Sequence, residues 1–261
     1  MRPVSRIAED GRRTDLSRHG FLDLHSHLLP EVDDGCQALE ESIACIAELR
    51  ERGFVGTVCT PHVWIEQFPW NVPATIDRRV AELGEQLRRE GIDYRLFSGA
   101  EVRIGEGTID FFRRSGVPSL GEGRAVLIDY WGRGWPECGY EVVGFLLDQN
   151  YQPILAHPER MDLSDDEWRP FLDWTAETGV LLQGNLKCLA GHESRQARDR
   201  AFELLDDNRY HLLASDMHGD WDLDLRLEGI DVVARRMGPP AVKRLLEDHP
   251  REILMAAEQV G

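Results

Sequence analysis

The sequence lacks several features that mark large classes of protein. Among its 261 residues, no apolar run approaches the roughly 18 residues of a transmembrane helix, so no membrane insertion is expected. No GxGxxG or Walker loop follows the first apolar run, which disfavours a nucleotide-binding open sheet. Basic residues are few, 30 against 47 acidic ones, and the net charge of −17 disfavours stable nucleic-acid binding, which depends on Lys and Arg contacts to phosphate.

Cysteine is scarce, and its spacing excludes the usual thiolate sites. The five cysteines include no CxxC pair, so neither a disulfide framework nor a thiolate zinc site is indicated. No cysteine and arginine have the five-residue separation of a cysteine-dependent phosphatase loop. Unpaired cysteines are typical of a reducing compartment, and we therefore expect a cytoplasmic protein.

Short apolar runs alternate with longer amphipathic segments along most of the chain. In the first such segment, Leu39, Ile43 and Ile46 form one apolar stripe at helical spacing. A strand followed by a helix, seven times over, predicts parallel strands joined by right-handed crossovers. The predicted strands are 21–25, 55–59, 94–98, 125–129, 152–156, 180–184 and 210–214.

Two α/β architectures satisfy this order of elements, a closed TIM-like barrel and an open doubly wound sheet. The missing nucleotide-binding loop favours the barrel. No linker rich in Pro, Gly or Ser divides residues 20–261, so we expect them to form a single domain. Residues 1–19 are rich in arginine and contain no apolar stretch, which predicts a flexible N-terminal leader. The last two predicted helices are compatible with either barrel cladding or an oligomer interface.

Histidines and carboxylates collect just after the predicted strands. In a barrel of parallel strands these positions meet at one rim, where function is expected. His25 and His27 are two apart on a strand, so both rings project from one face. Other residues of these types at strand ends include Asp33, Asp34, His62, Glu101, Asp129, His157, Asp216 and His218.

Together these residues predict a metal site. Helix capping would account for Asp33 and Asp34, but histidine is a poor cap, and five of the nine histidines fall at strand ends. Mixed His and carboxylate ligands without thiolate suit Mn, Zn, Fe or Co better than Ca or Mg. Four ionised carboxylates balance two divalent cations, whereas three cations would leave about +2, which matches a phosphate dianion.

Five motifs resemble those of the polymerase and histidinol phosphatase (PHP) superfamily. They are DLHSH at 23–27, TPH at 60–62, GAE at 99–101, AHPER at 156–160 and SDMH at 215–218. Within that superfamily, LLPEVDDG after the first motif is similar to the bacterial metal-dependent protein-tyrosine phosphatases of capsule and exopolysaccharide operons. The resemblance covers residues 20–235 and implies a distorted seven-stranded barrel, the PHP fold, with three divalent ions, often manganese.

The resemblance also implies a role for each residue at the rim. By motif position, the three ions would be held by His25, His27, Glu101 and Asp216; by Glu101, Asp129 and His157; and by Asp34, His62 and His218. Asp33 is the alternative to Asp34. Arg160 occupies the place of the phosphate-binding arginine, and Asp216 is a candidate for assisting proton transfer.

The chain departs from the family pattern at three places. Asp129 stands where the family usually has Glu, and its shorter reach puts the second ion in doubt. Strand six leads into Gln183-Gly184-Asn185 instead of an Asn-Ala-Gly-like segment. The family's second arginine closely follows the last histidine, whereas here Arg226 is the first candidate.

Aromatic residues follow two of the strands and suggest a binding wall. Stacking on a phosphotyrosine ring would use Trp64 and Trp131 together with Phe68, Trp70, Tyr130 and Trp135. The competing interpretation is that these side chains only pack over the barrel rim.

Three functions remain open from the sequence. The first is a metal-dependent phosphomonoesterase in which a metal-bridging hydroxide attacks phosphotyrosine of a protein substrate, for example a tyrosine autokinase of polysaccharide synthesis. The second is a phosphatase or phosphodiesterase for a small-molecule phosphoester on the same scaffold. The third is a non-enzymatic metal-binding regulatory module, which a complete ligand set disfavours. Two or three divalent ions are expected in the first two cases.

Overall fold

The computed structural model describes residues 19–255 of the chain. The predicted leader, apart from His19, lies outside the described residues. The nine strands of the described part are β1 Phe21–Ser26, β2 Phe54–Cys59, β3 His62–Val63, β4 Arg95–Ser98, β5 Glu101–Arg103, β6 Ala125–Asp129, β7 Gln152–Ala156, β8 Leu181–Asn185 and β9 Leu212–Ala214.

Helices follow most of the strands, as the alternation of patterns predicts. They are α1 Leu39–Glu51, α2 Pro73–Arg89, α3 Thr108–Ser115, α4 Glu137–Asp148, α5 Asp165–Thr178, α6 Leu186–Ala190, α7 Arg195–Asp206, α8 Leu223–Met237, α9 Pro239–Lys243 and α10 His249–Met255. Short 3-10 turns at Pro158–Arg160 and Asp220–Asp222 and a wide π turn at Arg244–Asp248 complete the order. In this part of the chain, no helix combines the length and apolar character needed to cross a membrane.

All strand pairs are parallel, which confirms the α/β prediction. The strands form two sheets, one of order β1-β2-β4 and one of order β3-β5-β6-β7-β8-β9. The strand pairing of residues 19–255 therefore does not form the single closed sheet that we expect from the sequence. Two of the seven predicted strands instead continue, after a short break, as the extra strands β3 and β5 of the second sheet.

The two breaks have local causes. Pro61 has no backbone N–H to give to a strand ladder, so pairing stops between β2 and β3. Gly99 separates β4 from β5, and a Cβ there would lie 2.7 Å from Cγ1 of Val58 and 2.8 Å from Cδ2 of Leu120. A side chain there would force Val58 or Leu120 to shift, so glycine suits the position at which β4 ends.

Backbone hydrogen bonds join the end of β1 to the segment after β9. His27 N donates to Met217 O at 2.9 Å, and Asp216 N donates to His25 O at 2.9 Å. A small apolar cluster contains Leu22 and Val58 of the first sheet and Leu127 of the second, so the two sheets share packed side chains. A larger cluster packs the helices against the strands. These contacts bring the ends of the strands to one place.

Candidate metal centre

The two histidines of β1 are each fixed by a bond from Nδ1. His25 Nδ1 donates to Gln183 Oε1 at 2.9 Å, and His27 Nδ1 donates to Asp33 Oδ2 at 2.7 Å. In the neutral form of each ring this leaves Nε2 as the nitrogen with a lone pair, and the two Nε2 atoms are 3.4 Å apart. Histidine ligands of metals are typically oriented by such a bond from the other ring nitrogen.

Asp33 serves as an anchor of this arrangement. Its Oδ2 also accepts from the backbone N of His62 at 2.8 Å, and its Oδ1 accepts from Gly35 N at 3.0 Å. Burial by itself would raise the pKa of Asp33, but the charges of His27 and His62 outweigh it and lower the pKa to about 2. The neighbouring Asp34 is half exposed, and its Oδ1 lies 3.3 Å from Nε2 of His62.

Glu101 occupies the middle of the cluster. Its Oε1 lies 3.0 Å from His157 Nε2, and its Oε2 lies 2.8 Å from His62 Nδ1. The same Oε2 is 3.4 Å from His25 Nε2 and 3.5 Å from His27 Nε2. The side chain is buried, so one carboxylate is shared among four imidazoles away from bulk water.

The donor atoms fall into overlapping groups whose members all lie within 4.8 Å of one another. Two donors of one ion, each at about 2.1 Å from it, are at most about 4.2 Å apart, so small adjustments suffice for coordination. The groups are His27, Asp34, His62 and His218; Glu101, Asp129 and His157; His25, His27 and Glu101; and His25, His157 and Asp216. The structure thus brings together all nine residues that the sequence analysis proposes as ligands.

Unsatisfied atoms inside the cluster support a cation there. His62 Nε2, Glu101 Oε2 and Asp129 Oδ2 are buried and have no hydrogen-bond partner of good geometry. A buried polar atom without a partner is costly, and a metal ion would satisfy each of these atoms. The donor set of imidazoles and carboxylates fits Mn, Zn, Fe or Co.

The pKa shifts show how closely these groups interact. Burial raises the pKa of Asp129 to about 6. For His62, burial by itself would lower the pKa, but the charge of Glu101 outweighs it and raises the pKa to about 10. Burial and the charge of His27 lower the pKa of His218 to about 4. The extra proton that His62 holds at neutral pH stands in for part of the cationic charge, and metal binding would release it.

Asp216 is tied to the second sheet as well as to the cluster. Its Oδ2 accepts from Asn185 Nδ2 at 2.8 Å and from Arg160 NH1 at 2.9 Å, while its Oδ1 is 3.2 Å from His25 Nε2. Gln183 and Asn185, the departure from the family pattern at strand six, therefore orient two residues of the cluster. Asp23 plays a similar part for the loop after β9, because it accepts from Ser215 N at 3.0 Å.

The two arginines proposed for substrate binding differ in their surroundings. Arg160 is about one-third exposed and lines a cavity of about 320 Å³ above the donor groups. Arg226 lines the same cavity but is buried, and it donates to Asp222 Oδ1 at 2.7 Å and to Ser215 O at 3.2 Å. These bonds brace the loop that carries Asp216, and substrate contact by Arg226 stays a prediction.

The aromatic wall is only partly assembled at the site. Trp131 is exposed, meets the ring of His62 edge-on at 5.3 Å and lies 5.8 Å from Trp64. Trp135 instead packs against Phe171 at 5.2 Å, in the helical layer. The expectation that Trp135 belongs to the wall is wrong, because its ring fills a gap between α4 and α5.

Sequence reasoning missed three residues near the cavity. Lys187 and Trp221 line it, and Arg103 lies against Trp64 and Trp131. Arg103 had a signal, since it follows Glu101 by two residues on one strand and therefore shares its face. Lys187 and Trp221 lie in short helical turns without a sequence pattern.

Backbone strain coincides with the cluster at two positions. His157 has φ of 30° and Asp216 has φ of 50°, in the left-handed region that non-glycine residues seldom adopt. Both residues lie at the turn that leaves a strand, where this conformation directs the side chain into the cluster.

Comparison with known proteins places these features in a family. Residues 21–255 match the family described as capsular polysaccharide synthesis, CpsB/CapC. The chain is 27% identical over 248 residues to the tyrosine-protein phosphatase CpsB of Streptococcus pneumoniae, covering 90% of this chain and 98% of CpsB. It is 29% identical over 199 residues to the tyrosine-protein phosphatase YwqE of Bacillus subtilis, covering 76% of this chain and 77% of YwqE.

A solved structure extends the likeness to the fold. It is described as that of YwqE from Bacillus subtilis and CpsB from Streptococcus pneumoniae, unique metal-dependent tyrosine phosphatases. The match has a TM-score of 0.80 and 25% identity, and covers 90% of this chain and 94% of the other. The chain belongs to the CpsB/CapC family.

Proposed function

We propose that the protein is a metal-dependent protein-tyrosine phosphatase, with phosphotyrosine of a polysaccharide-synthesis kinase as its substrate. The observation that carries this proposal is the set of overlapping donor groups at the base of a cavity that Arg160 also lines. The named activities of the relatives support the same reaction.

We assign two or three divalent ions, manganese first, to the donor groups. Their proposed ligands are His25, His27, Glu101 and Asp216; Glu101, Asp129 and His157; and Asp34, His62 and His218. Asp34 is preferred to Asp33 because both oxygens of Asp33 already accept hydrogen bonds. Asp129 fits despite being shorter than Glu, because its orphaned Oδ2 is part of the cluster.

When bound, such ions lower the pKa of a coordinated water to about 7 and draw charge from phosphoryl oxygens. The protein's own contribution is orientation. Arg160 gives one N–H to Asp216, and its remaining donors are directed to phosphoryl oxygens in our proposal. A tyrosyl leaving group, with a pKa of about 10, needs little protonation, so Asp216 acts mainly as a ligand and as the anchor of Arg160.

Two finer features of the protein belong to the proposal. We infer that the two sheets together form a distorted barrel, because the bonds between β1 and residues 215–217 and the shared apolar cluster link their edges. We also propose a cytoplasmic location, which the five free cysteines support, because a reducing compartment keeps thiols unpaired.

The test is metal-restored hydrolysis by chelator-stripped protein. Para-nitrophenyl phosphate, a phosphotyrosine peptide and the matching phosphoserine peptide are assayed before and after addition of Mn, Zn, Co or Mg, with bound metal measured per chain. We expect restored activity with preference for phosphotyrosine, lost in Arg160→Ala and kept in the control Arg195→Ala, which changes an exposed arginine of α7. Bound metal without turnover of either peptide would contradict the proposal and point to a small-molecule phosphoester.

A further inference from the structure

Arg103 is a cation beside the metal centre without an ionic partner among residues 19–255. Its guanidinium carbon lies 3.8 Å from the centre of the Trp64 ring and 5.3 Å from that of the Trp131 ring. Within the described chain it makes neither a hydrogen bond nor an ion pair. With 47 acidic residues against 30 basic ones, a guanidinium without an ion pair is unexpected.

The strand that carries Arg103 connects it rigidly to the cluster. Arg103 is the last residue of β5, pairs in register with Asp129, and follows Glu101 by two residues. Two residues on one face of a strand are about 6.6 Å apart along it. The same distance separates alternate residues of an extended peptide, so a peptide whose phosphotyrosine enters the cavity can place a nearby side chain at Arg103.

The space around Arg103 is open to a ligand. Arg103 lines a second cavity of about 410 Å³ together with Trp64 and Tyr130, and Glu66 and Glu106 also line this cavity without forming an ion pair with Arg103. Trp64 also touches Trp131, which lines the cavity above the donor groups, so the two cavities are neighbours. Because the guanidinium covers one face of Trp64, this ring holds Arg103 in place and is a weaker candidate for stacking on a phosphotyrosine ring.

We infer that Arg103 is a specificity-determining residue that binds an acidic side chain of the peptide two residues from the phosphotyrosine. The inference rests on the proposed function and deepens it. The planar fork of a guanidinium matches a carboxylate, and the two indoles restrict its motion before the peptide arrives. Less conformational freedom is therefore lost on binding.

The experiment compares two phosphotyrosine peptides that differ only in having Glu or Gln two residues from the phosphotyrosine. Their kcat/KM values with metal-loaded protein and their affinities by calorimetry are measured for the wild type, Arg103→Met and Arg113→Met. Arg113 is the matched control because its guanidinium lies over Phe145 and pairs with Asp110. We expect the wild type to prefer the Glu peptide by about fivefold, mainly through KM, and less so at high salt.

Arg103→Met should treat the two peptides alike, whereas Arg113→Met should keep the preference. If Arg103→Met has a lowered melting temperature, Arg103→Gln serves as a second variant and must show the same loss. Equal hydrolysis of both peptides by the wild type, or a preference that survives in both Arg103 variants, would overturn this inference alone. Preferential binding of the Glu peptide without hydrolysis of either would overturn the proposed function and leave the role of Arg103 standing.

Discussion

The cavity has two regions that differ in burial: a floor, formed by the metal-donor groups, and an outer rim, formed by Trp131 and Trp221. On the floor, His25, His27 and Glu101 are fully buried, and each of the two rings is fixed by a bond from Nδ1. On the rim, the side chains of Trp131 and Trp221 are 48% and 70% exposed. From this difference we expect the floor to determine the reaction and the rim to determine which substrate reaches it.

Removing a floor ligand should have the largest effect of any single substitution. His157→Ala takes a donor from two of the groups, and we expect loss of bound metal and a fall in turnover of about a thousandfold or more. Metal per chain and hydrolysis of para-nitrophenyl phosphate check this. His192→Ala, which changes a histidine paired with Glu228 outside the groups, is the control. Full metal content in His157→Ala would show that this floor residue is not needed for metal binding, and the comparison between floor and rim would fail.

Changing Asp33, which orients the ligand His27, should have an intermediate effect. Asp33→Asn removes the charge that orients His27, and we expect metal affinity or activity to fall by about 10- to 100-fold, with a lower melting temperature. Asp34→Asn alters a half-exposed donor and should weaken metal binding without lowering the melting temperature of metal-free protein. Both variants are measured by metal titration and thermal unfolding. If Asp34→Asn instead lowers the melting temperature and Asp33→Asn only weakens metal binding, Asp33 is the ligand and Asp34 is not.

Changes at the rim should be the mildest for the chemistry. Trp131→Ala should raise KM for a phosphotyrosine peptide severalfold while metal content and melting temperature stay unchanged, because its ring is exposed. Trp135→Ala should leave peptide KM unchanged and lower the free energy of unfolding by about 2 to 4 kcal/mol, because its ring packs between helices. Peptide kinetics and denaturant unfolding separate the two. A raised KM for the peptide in Trp135→Ala would show that Trp135 belongs to the aromatic wall.

The sequence predicts the floor better than the rim for a physical reason. A metal site needs particular residue types at strand ends, so His25, His62 and His157 are recognisable from residue type and spacing alone. The partners of Arg103 and Trp135 depend on which rings meet in three dimensions, and spacing along the chain does not specify this.

The fold, too, is predicted in some parts and not in others. All seven predicted strands are found, because each is a short apolar run bounded by turn residues. The division into two sheets was not predicted, since β3 has two residues and leaves no periodic pattern. The helix α6 was missed because its five residues are too few to form an amphipathic stripe.

The left-handed backbone at His157 and Asp216 has a consequence for how such a chain evolves. These are the positions where glycine would relax the backbone, and also positions where the side chain belongs to the donor groups. Selection for folding alone would therefore tend to erase the two side chains, whereas selection for catalysis retains them. In a population of drifting descendants, the identity of these two residues is an early marker of whether the activity is still being maintained.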